Sequence, residues 1–219
     1  MNDHLITPEL LLNAYASGVF PMADNRNDTE LFWVDPTERG ILPLDAFHAP
    51  RSLKKLVRQD KFNITIDQSF KEVVAACAAS AQGRENTWIS NRIEELYTNL
   101  HGLGFAHSVE CWLNGKLVGG LYGVSLAGAF FGESMFHTET DASKVALVHL
   151  VARLRKGGYT LLDTQFGTDH LFQFGVKEIP REEYHQRLEA ALRVKEADFY
   201  RLPAGASGSA ILQLITQTS

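Results

Sequence analysis

The sequence predicts an α+β fold, a small N-terminal unit followed by a larger mixed-sheet domain, and three observations carry that prediction. The first is a well-delimited opening helix followed by a stretch broken by prolines. Thr7 stands at the N-cap, Pro8 at the first helical position and Glu9 in the first turn, where the helix dipole favours an acid; Gly18 ends the helix. The second is a pair of alternating segments, 106–113 and 116–125, joined by Asn114-Gly115, a two-residue hairpin signal. The third is a long helical pattern from Asp141 to Gly157-Gly158 that runs into the apolar strand 159–163.

The remaining elements follow in order. Leu11, Ala14 and Tyr15 share one face of the opening helix, and a polar loop, 24–30, leads to a short strand at Phe32-Trp33-Val34. Pro36, Pro43 and Pro50 punctuate the passage onward, so residues 1–45 read as the small N-terminal domain. From Pro50 helices and strands alternate: a strand at 62–66, a helix at 68–79, a loop at 82–86, and a helix capped by Ser90 with Ile93, Leu96, Tyr97 and Leu100 on its apolar face. A third strand of the meander spans 129–135, and helices at 169–175 and 180–192 complete a domain over 46–198. Residues 199–219, rich in Gly, Ala and Ser from Pro203, are expected to form a poorly ordered tail.

Composition narrows the function classes. With 219 residues, 45% hydrophobic and 21% charged, the chain is an ordinary globular protein. No apolar stretch reaches the length of a membrane span, and the first residues lack the basic and apolar regions of a signal peptide, so a cytoplasmic protein is expected. Cys77 and Cys111 stand too far apart in sequence for a Cys-x-x-Cys motif, which argues against a zinc site or a disulfide framework. The eight histidines show no metal-ligand spacing. His107 and His170 are candidates for a site, with core or surface roles the simpler reading. The net charge of −5 is the wrong sign for a general nucleic-acid binder. Contact with RNA would need a local patch, and one exists: Arg51, Lys54, Lys55 and Arg58 stand at i, i+3, i+4 and i+7 and form one basic helix stripe. A solvated face is the plain alternative, but four mutually repelling charges are relieved by a polyanion.

Two segments carry candidate chemistry. Glu133 interrupts an otherwise apolar strand in Gly132-Glu133-Ser134-Met135-Phe136, where an unpartnered carboxylate costs free energy. Phe136 stands where a nucleophile elbow needs Gly, so Ser134 is a poor nucleophile candidate. Asp163-Thr164-Gln165 ends the buried strand Leu161-Leu162, at the edge where open sheets hold ligands; alternation puts Asp163 and Gln165 on one face. A structural carboxylate network and a strand-end cap are the plain alternatives.

The element order resembles an acetyltransferase-like (GNAT-like) core. Its phosphate-gripping loop is missing, however: Arg155-Lys156-Gly157-Gly158-Tyr159-Thr160 lies at a helix C-terminus, the dipole end that disfavours phosphate, so coenzyme A is not expected.

An ordered set of segments is similar to one family, the leucyl/phenylalanyl-tRNA–protein transferases. The set runs through Leu11-Leu12-Asn13-Ala14-Tyr15, Gly18-Val19-Phe20-Pro21, Phe32-Trp33 with Asp35-Pro36, and the run from His48 to Lys55. It continues through Thr87-Trp88-Ile89, the run from Ala106 to Glu110, the run from Leu117 to Gly123, the run from Phe131 to Phe136, and the run from Asp141 to Lys144. Asp163-Thr164-Gln165, Asp169-His170-Leu171 and Glu178-Ile179-Pro180-Arg181 complete it. The resemblance implies transfer of Leu or Phe from aminoacyl-tRNA to the N-terminal Arg or Lys of an acceptor protein, as in N-end rule degradation; the ester is already activated, so no cofactor and no metal are expected, and a monomer is the expected state. It implies Glu133 and Gln165 in the catalytic site, Asp163 orienting Gln165, and an aminoacyl pocket of Trp88, Leu121, Phe130, Ser134 and Met135. Arg51, Lys54, Lys55 and Arg58 are the expected tRNA contacts. The chain departs from the family at Met22, where Trp is common, at His137, where Ser is common, and at Leu121, where some members have Met. These changes bear on the choice among Leu, Phe and Met rather than on the reaction. An acyl-CoA transferase and a non-catalytic RNA-binding module are the competing readings.

Overall fold

The computed structural model describes residues 6–79 and 87–216. The expected loop at 82–86 lies outside the described residues. In chain order come α1 (Pro8–Ala16), β1 (Phe20–Met22), β2 (Phe32–Val34), β3 (Glu38–Ile41), α2 (Arg51–Arg58), β4 (Asn63–Ile66), α3 (Phe70–Ala78) and α4 (Asn91–Gly102). They are followed by β5 (Ala106–Leu113), β6 (Lys116–Leu126), β7 (Ala129–His137), α5 (Ala142–Gly157), β8 (Leu161–Gln165), α6 (Asp169–Phe172), β9 (Lys177–Pro180), α7 (Arg181–Leu192) and α8 (Gly208–Thr216).

Seven strands form one mixed sheet in the order β4-β5-β6-β7-β8-β3-β9. Every pairing in it is antiparallel except β7–β8. Asn114 and Gly115 take φ of 52° and 74°, both left-handed, as a tight hairpin turn requires. β1 and β2 form a separate two-stranded ribbon.

Helices cover both faces, because alternate residues of each strand are apolar on both sides. On one face α2, α5 and α8 bury Leu53, Val57, Val148, Val151, Ile211 and Ile215 against Val109, Leu121, Phe130 and Leu162. On the other, α1, α3, α4 and α7 bury Leu11, Tyr15, Val73, Ile93, Tyr97 and Leu188 against Tyr122, Val124, Phe131 and Leu161. Thr7 and Ser90 cap α1 and α4 by accepting from Leu10 N and Ile93 N.

Several expectations need correction. Residues 199–219 are not a loose tail throughout. Residues 208–216 form α8, whose Ile211, Leu212 and Ile215 are buried at helical spacing. Arg153 draws the preceding segment in by donating to Phe199 O at 2.7 Å and Leu202 O at 2.6 Å. Of the small residues there, Gly208 is buried and serves the close approach of α8 to α2, whereas Gly205 has open space around it. β3 falls before residue 45 yet is an inner strand of the large sheet, between β8 and β9. Asp141 makes no side-chain cap to α5; it has a left-handed φ of 65° and pairs with Lys144 at 2.7 Å.

Candidate active site

The strands β7 and β8 lie side by side and bring Glu133 and Gln165 together. The β6–β7 register shifts between Tyr122 and Gly123: Tyr122 faces Ser134 while Gly123 faces Gly132. Glu133 is the extra residue of a β-bulge, a device that re-aims a side chain at the cost of one ladder pair. Its carboxylate turns to the face covered by α1 and α4. Gln165 ends β8 with a left-handed φ of 62°, a costly conformation for a residue with a Cβ. Its facing residue in β3 is Gly40, where a Cβ would stand only 2.6 Å from the Phe166 carbonyl carbon. Gly40 thus makes room for the turn that aims Gln165.

Glu133 is 7% exposed and is held by three neutral donors. Tyr15 donates to its Oε1 at 2.7 Å; Tyr97 and Gln165 Nε2 each donate to Oε2 at 3.0 Å. Among the described residues no Lys, Arg or His pairs with it. Burial pushes its pKa up to about 7, against the lowering effect of Tyr15, Gln165 and Tyr97. Tyr15 and Tyr97 also touch each other through their hydroxyls. Glu133 and the two phenols therefore make a ring of three contacts among three side chains. An ionised Glu133 leaves two protons for those contacts, while a protonated one closes the ring with three.

Asp163 is fully buried in a different setting. Arg39, 1% exposed, meets it through Nε at 3.0 Å and Nη2 at 2.6 Å, and Tyr184 donates to it at 2.8 Å. Its Oδ1 also accepts from the backbone N–H of Gln165 at 2.7 Å. Arg39 is sandwiched between the rings of Phe20 and Tyr184 at 4.6 and 4.4 Å.

Beside Glu133 and Gln165 opens a cavity of about 290 Å³. Trp88, Leu121, Ser134 and Met135 line it, together with Leu147, Leu150 and Leu162. Phe130 does not line it: it is fully buried in the same core cluster as Leu121, Leu147, Leu150 and Leu162, and stacks on Phe199 at 5.6 Å. The family resemblance implied it there, but Phe130 alternates with Phe131 and is packed into the core against α5. His170 also lines the cavity, and burial and Lys144 lower its pKa. His107 lies elsewhere, paired with Asp67 at 2.8 Å. The basic stripe is carried on α2 with Arg51, Lys55 and Arg58 exposed, Lys54 half-buried and Leu53 and Val57 turned inward; it does not line the cavity.

Tyr15, Tyr97, Arg39 and Tyr184 were not among the expected site residues. Tyr15 and Tyr97 were visible only as members of apolar helix faces, since nothing local tells a core tyrosine from one whose hydroxyl meets a carboxylate. Arg39 had one signal, a lone cation beside the apolar run Ile41-Leu42.

Fold and cleft together define a class: an α+β protein whose sheet opens an apolar pocket onto a buried carboxylate and a carboxamide. Comparison with known proteins narrows it. The family described as leucyl/phenylalanyl-tRNA protein transferase matches residues 41–189, and its N-terminal domain matches residues 5–37. Proteins named leucyl/phenylalanyl-tRNA–protein transferase are similar along nearly the whole chain. That of Phenylobacterium zucineum is 63% identical, covering 95% of this chain and 96% of its own length. That of Maricaulis maris is 62% identical over 96% and 97% of the two chains, and that of Caulobacter vibrioides 57% over 99% and 100%. This chain belongs to the leucyl/phenylalanyl-tRNA–protein transferase family and is an aminoacyltransferase. Among solved structures, a functionally unknown conserved protein of Staphylococcus epidermidis has a TM-score of 0.43 at 12% identity, covering 81% of this chain and 66% of that one. L-PGS of Bacillus licheniformis has a TM-score of 0.41 at 12% identity, covering 83% and 62%. Among the described residues no helix is long and apolar enough to cross a membrane.

Proposed function

We propose that this chain transfers Leu or Phe, with some leakage to Met, from aminoacyl-tRNA to the N-terminal Arg or Lys of acceptor proteins, as in N-end rule degradation, and that it acts as a cytoplasmic monomer without a cofactor. The observation that carries the reading is Glu133: a buried carboxylate with three neutral donors and, among the described residues, no cation paired with it, held beside an apolar pocket. A cationic acceptor terminus supplies the missing charge. We propose an acetyltransferase-like (GNAT-like) domain over 46–198 with 1–45 as an N-terminal domain; the mixed sheet supports it and the position of β3 blurs its boundary.

The aminoacyl ester is already activated, so amide formation requires positioning more than further activation. The acceptor's α-amine attacks the ester carbonyl carbon. The C–N bond forms, the C–O bond to the ribose breaks, and the amine's proton passes to the departing ribose oxygen, directly or relayed by a water. An α-amine titrates near 7.7–8.0, so a useful fraction is free near neutrality. Gln165 Nε2 is committed to Glu133, which leaves Oε1 to accept from the attacking amine; an amide is too weak a base to remove the proton. Asp163 fixes the backbone of Gln165. Trp88, Leu121, Ser134 and Met135 hold the transferred side chain. One methylene in such a pocket is worth roughly 1–3 kcal/mol, hence the leakage to Met. Arg51, Lys54, Lys55 and Arg58 would contact tRNA phosphates; replacing Lys54, Lys55 and Arg58 by Ala should weaken tRNA binding and flatten its salt dependence.

The test offers radiolabelled leucyl-tRNA or acetyl-CoA with a protein bearing N-terminal Arg. Transfer from leucyl-tRNA is expected, with loss of roughly 100-fold or more in Glu133→Ala and Gln165→Ala while tRNA binding persists. Transfer from acetyl-CoA alone would overturn the reading.

A further inference from the structure

A second cavity, of about 500 Å³, lies on the other side of α5 from the first, between β4–β5 and the start of α8. Leu147 and Leu150 of α5 line the first cavity and His149 lines the second, so the two stand about one helix diameter, roughly 10–12 Å, apart. Lys61, Asn63, Trp112, Asn114 and Ser207 contribute to its wall. A cleft of about 330 Å³ borders the same Trp112, Asn63 and Asn114 from another side.

The charged groups of this wall are already engaged. Lys61 pairs with Glu139 at 2.8 Å, and Asp60 accepts from the backbone N–H of Gly208 at 2.7 Å. What remains free is neutral. His149 is 94% buried, faces the cavity and has no hydrogen-bond partner among the described residues. Burial, then Arg153, lowers its pKa to about 4, so it presents one donor and one acceptor near neutral pH. The Trp112 indole is pinned by its Nε1, which donates to Thr65 Oγ1 at 2.7 Å, and it remains half-exposed. A fixed aromatic face with neutral donors and acceptors around it suits a nucleobase and does not suit a phosphate. The basic stripe on α2 ends at Arg58, two residues before Asp60 of the cavity wall.

We propose that this cavity takes a nucleobase of the donor tRNA away from its aminoacylated end, stacked against Trp112 and hydrogen-bonded by His149 and Asn63. The inference rests on the tRNA-dependent reading of the reaction above. It divides the work of binding: α2 holds phosphates without reading sequence, and the cavity holds a base.

Filter retention of leucyl-tRNA over a range of salt concentrations tests it. Trp112→Leu and Asn63→Ala, each checked for an unchanged melting curve, should each weaken the Kd, Trp112→Leu by roughly tenfold, with no change in the slope of log Kd against log salt. An unchanged Kd, or a loss that comes with a flattened slope, would overturn the proposal. A photoreactive benzoylphenylalanine at position 112 of the full chain should crosslink to the tRNA; no adduct under conditions that saturate binding overturns it without reference to folding. These measurements read binding alone. Tight, cavity-dependent tRNA binding without transfer would support the cavity and sink the reaction centre, while transfer with unaltered tRNA affinity in both variants would do the reverse.

Discussion

Glu133 and Asp163 are buried carboxylates on neighbouring strands, and the protein treats them in opposite ways. Asp163 is matched by a fixed cation: Arg39 reaches it bidentately, and Tyr184 and the Gln165 N–H take its remaining lone pairs. Glu133 receives only phenols and an amide. The first carboxylate is a finished structural joint. The second is solvated by donors yet has no paired counter-charge among the described residues, so its ionised form is costly until a cation arrives. Gln165 links the two: its backbone hangs from Asp163 and its side chain from Glu133. The finished pair thereby sets the aim of the unfinished one.

The largest effect should come from breaking the finished pair. Arg39→Ala leaves a buried, uncompensated Asp163, a change that costs roughly 3–5 kcal/mol. Urea unfolding should show that loss. A shift below about 1 kcal/mol would mean that water reaches Asp163, and the contrast with Glu133 would dissolve.

Glu133 should give a smaller effect with a pH signature. The folded chain keeps its proton up to about pH 7, whereas the ordinary value is 4.5. Between these values the native state binds more protons than the unfolded one, so stability falls as pH rises, and above 7 the full cost, about 3 kcal/mol, is present. Glu133→Gln keeps the shape without the charge. Its stability relative to the parent should climb from pH 4.5 to 7 and level off beyond, as melting curves at several pH values would record. A difference that stays flat with pH would place Glu133 in the same class as Asp163.

The sequence showed the separate parts of this contrast but not their pairing. Glu133 was conspicuous as an acid in an apolar strand, and Asp163-Thr164-Gln165 as a polar end to a buried one. The long helix, the hairpin at Asn114-Gly115 and the caps at Thr7 and Ser90 were legible because their signals are local. β3 and β9 were not, for each has four residues with charges among them and shows no period of two. The partners of both carboxylates escaped for a related reason. Tyr15 lies 118 residues from Glu133 and Arg39 lies 124 from Asp163, and the register that joins them exists only in the assembled sheet. α8 was obscured by composition, since glycine and serine suggest freedom until a neighbouring helix needs close approach. A Cβ at Gly208 would sit 1.9 Å from the Val57 carbonyl oxygen.

The smallest effect separates the phenols from the charge they serve. Tyr97→Phe removes one donor to Glu133 Oε2 and one oxygen from the three-membered ring of contacts. Two consequences oppose each other. Losing the donor disfavours the ionised carboxylate, whereas losing the oxygen relieves the crowding of two lone pairs when only two protons serve three contacts. A hydrogen bond to a charged acceptor is worth about 1.5–3 kcal/mol, more than a neutral contact of about 1 kcal/mol, so the first should win. The Glu133 midpoint should move above 7, while overall stability falls by about 1 kcal/mol. Carboxyl-carbon NMR of a chain labelled at glutamate, compared with Glu133→Gln to assign the resonance, would follow that midpoint directly. A downward shift would show that lone-pair crowding, not burial, holds the proton on Glu133.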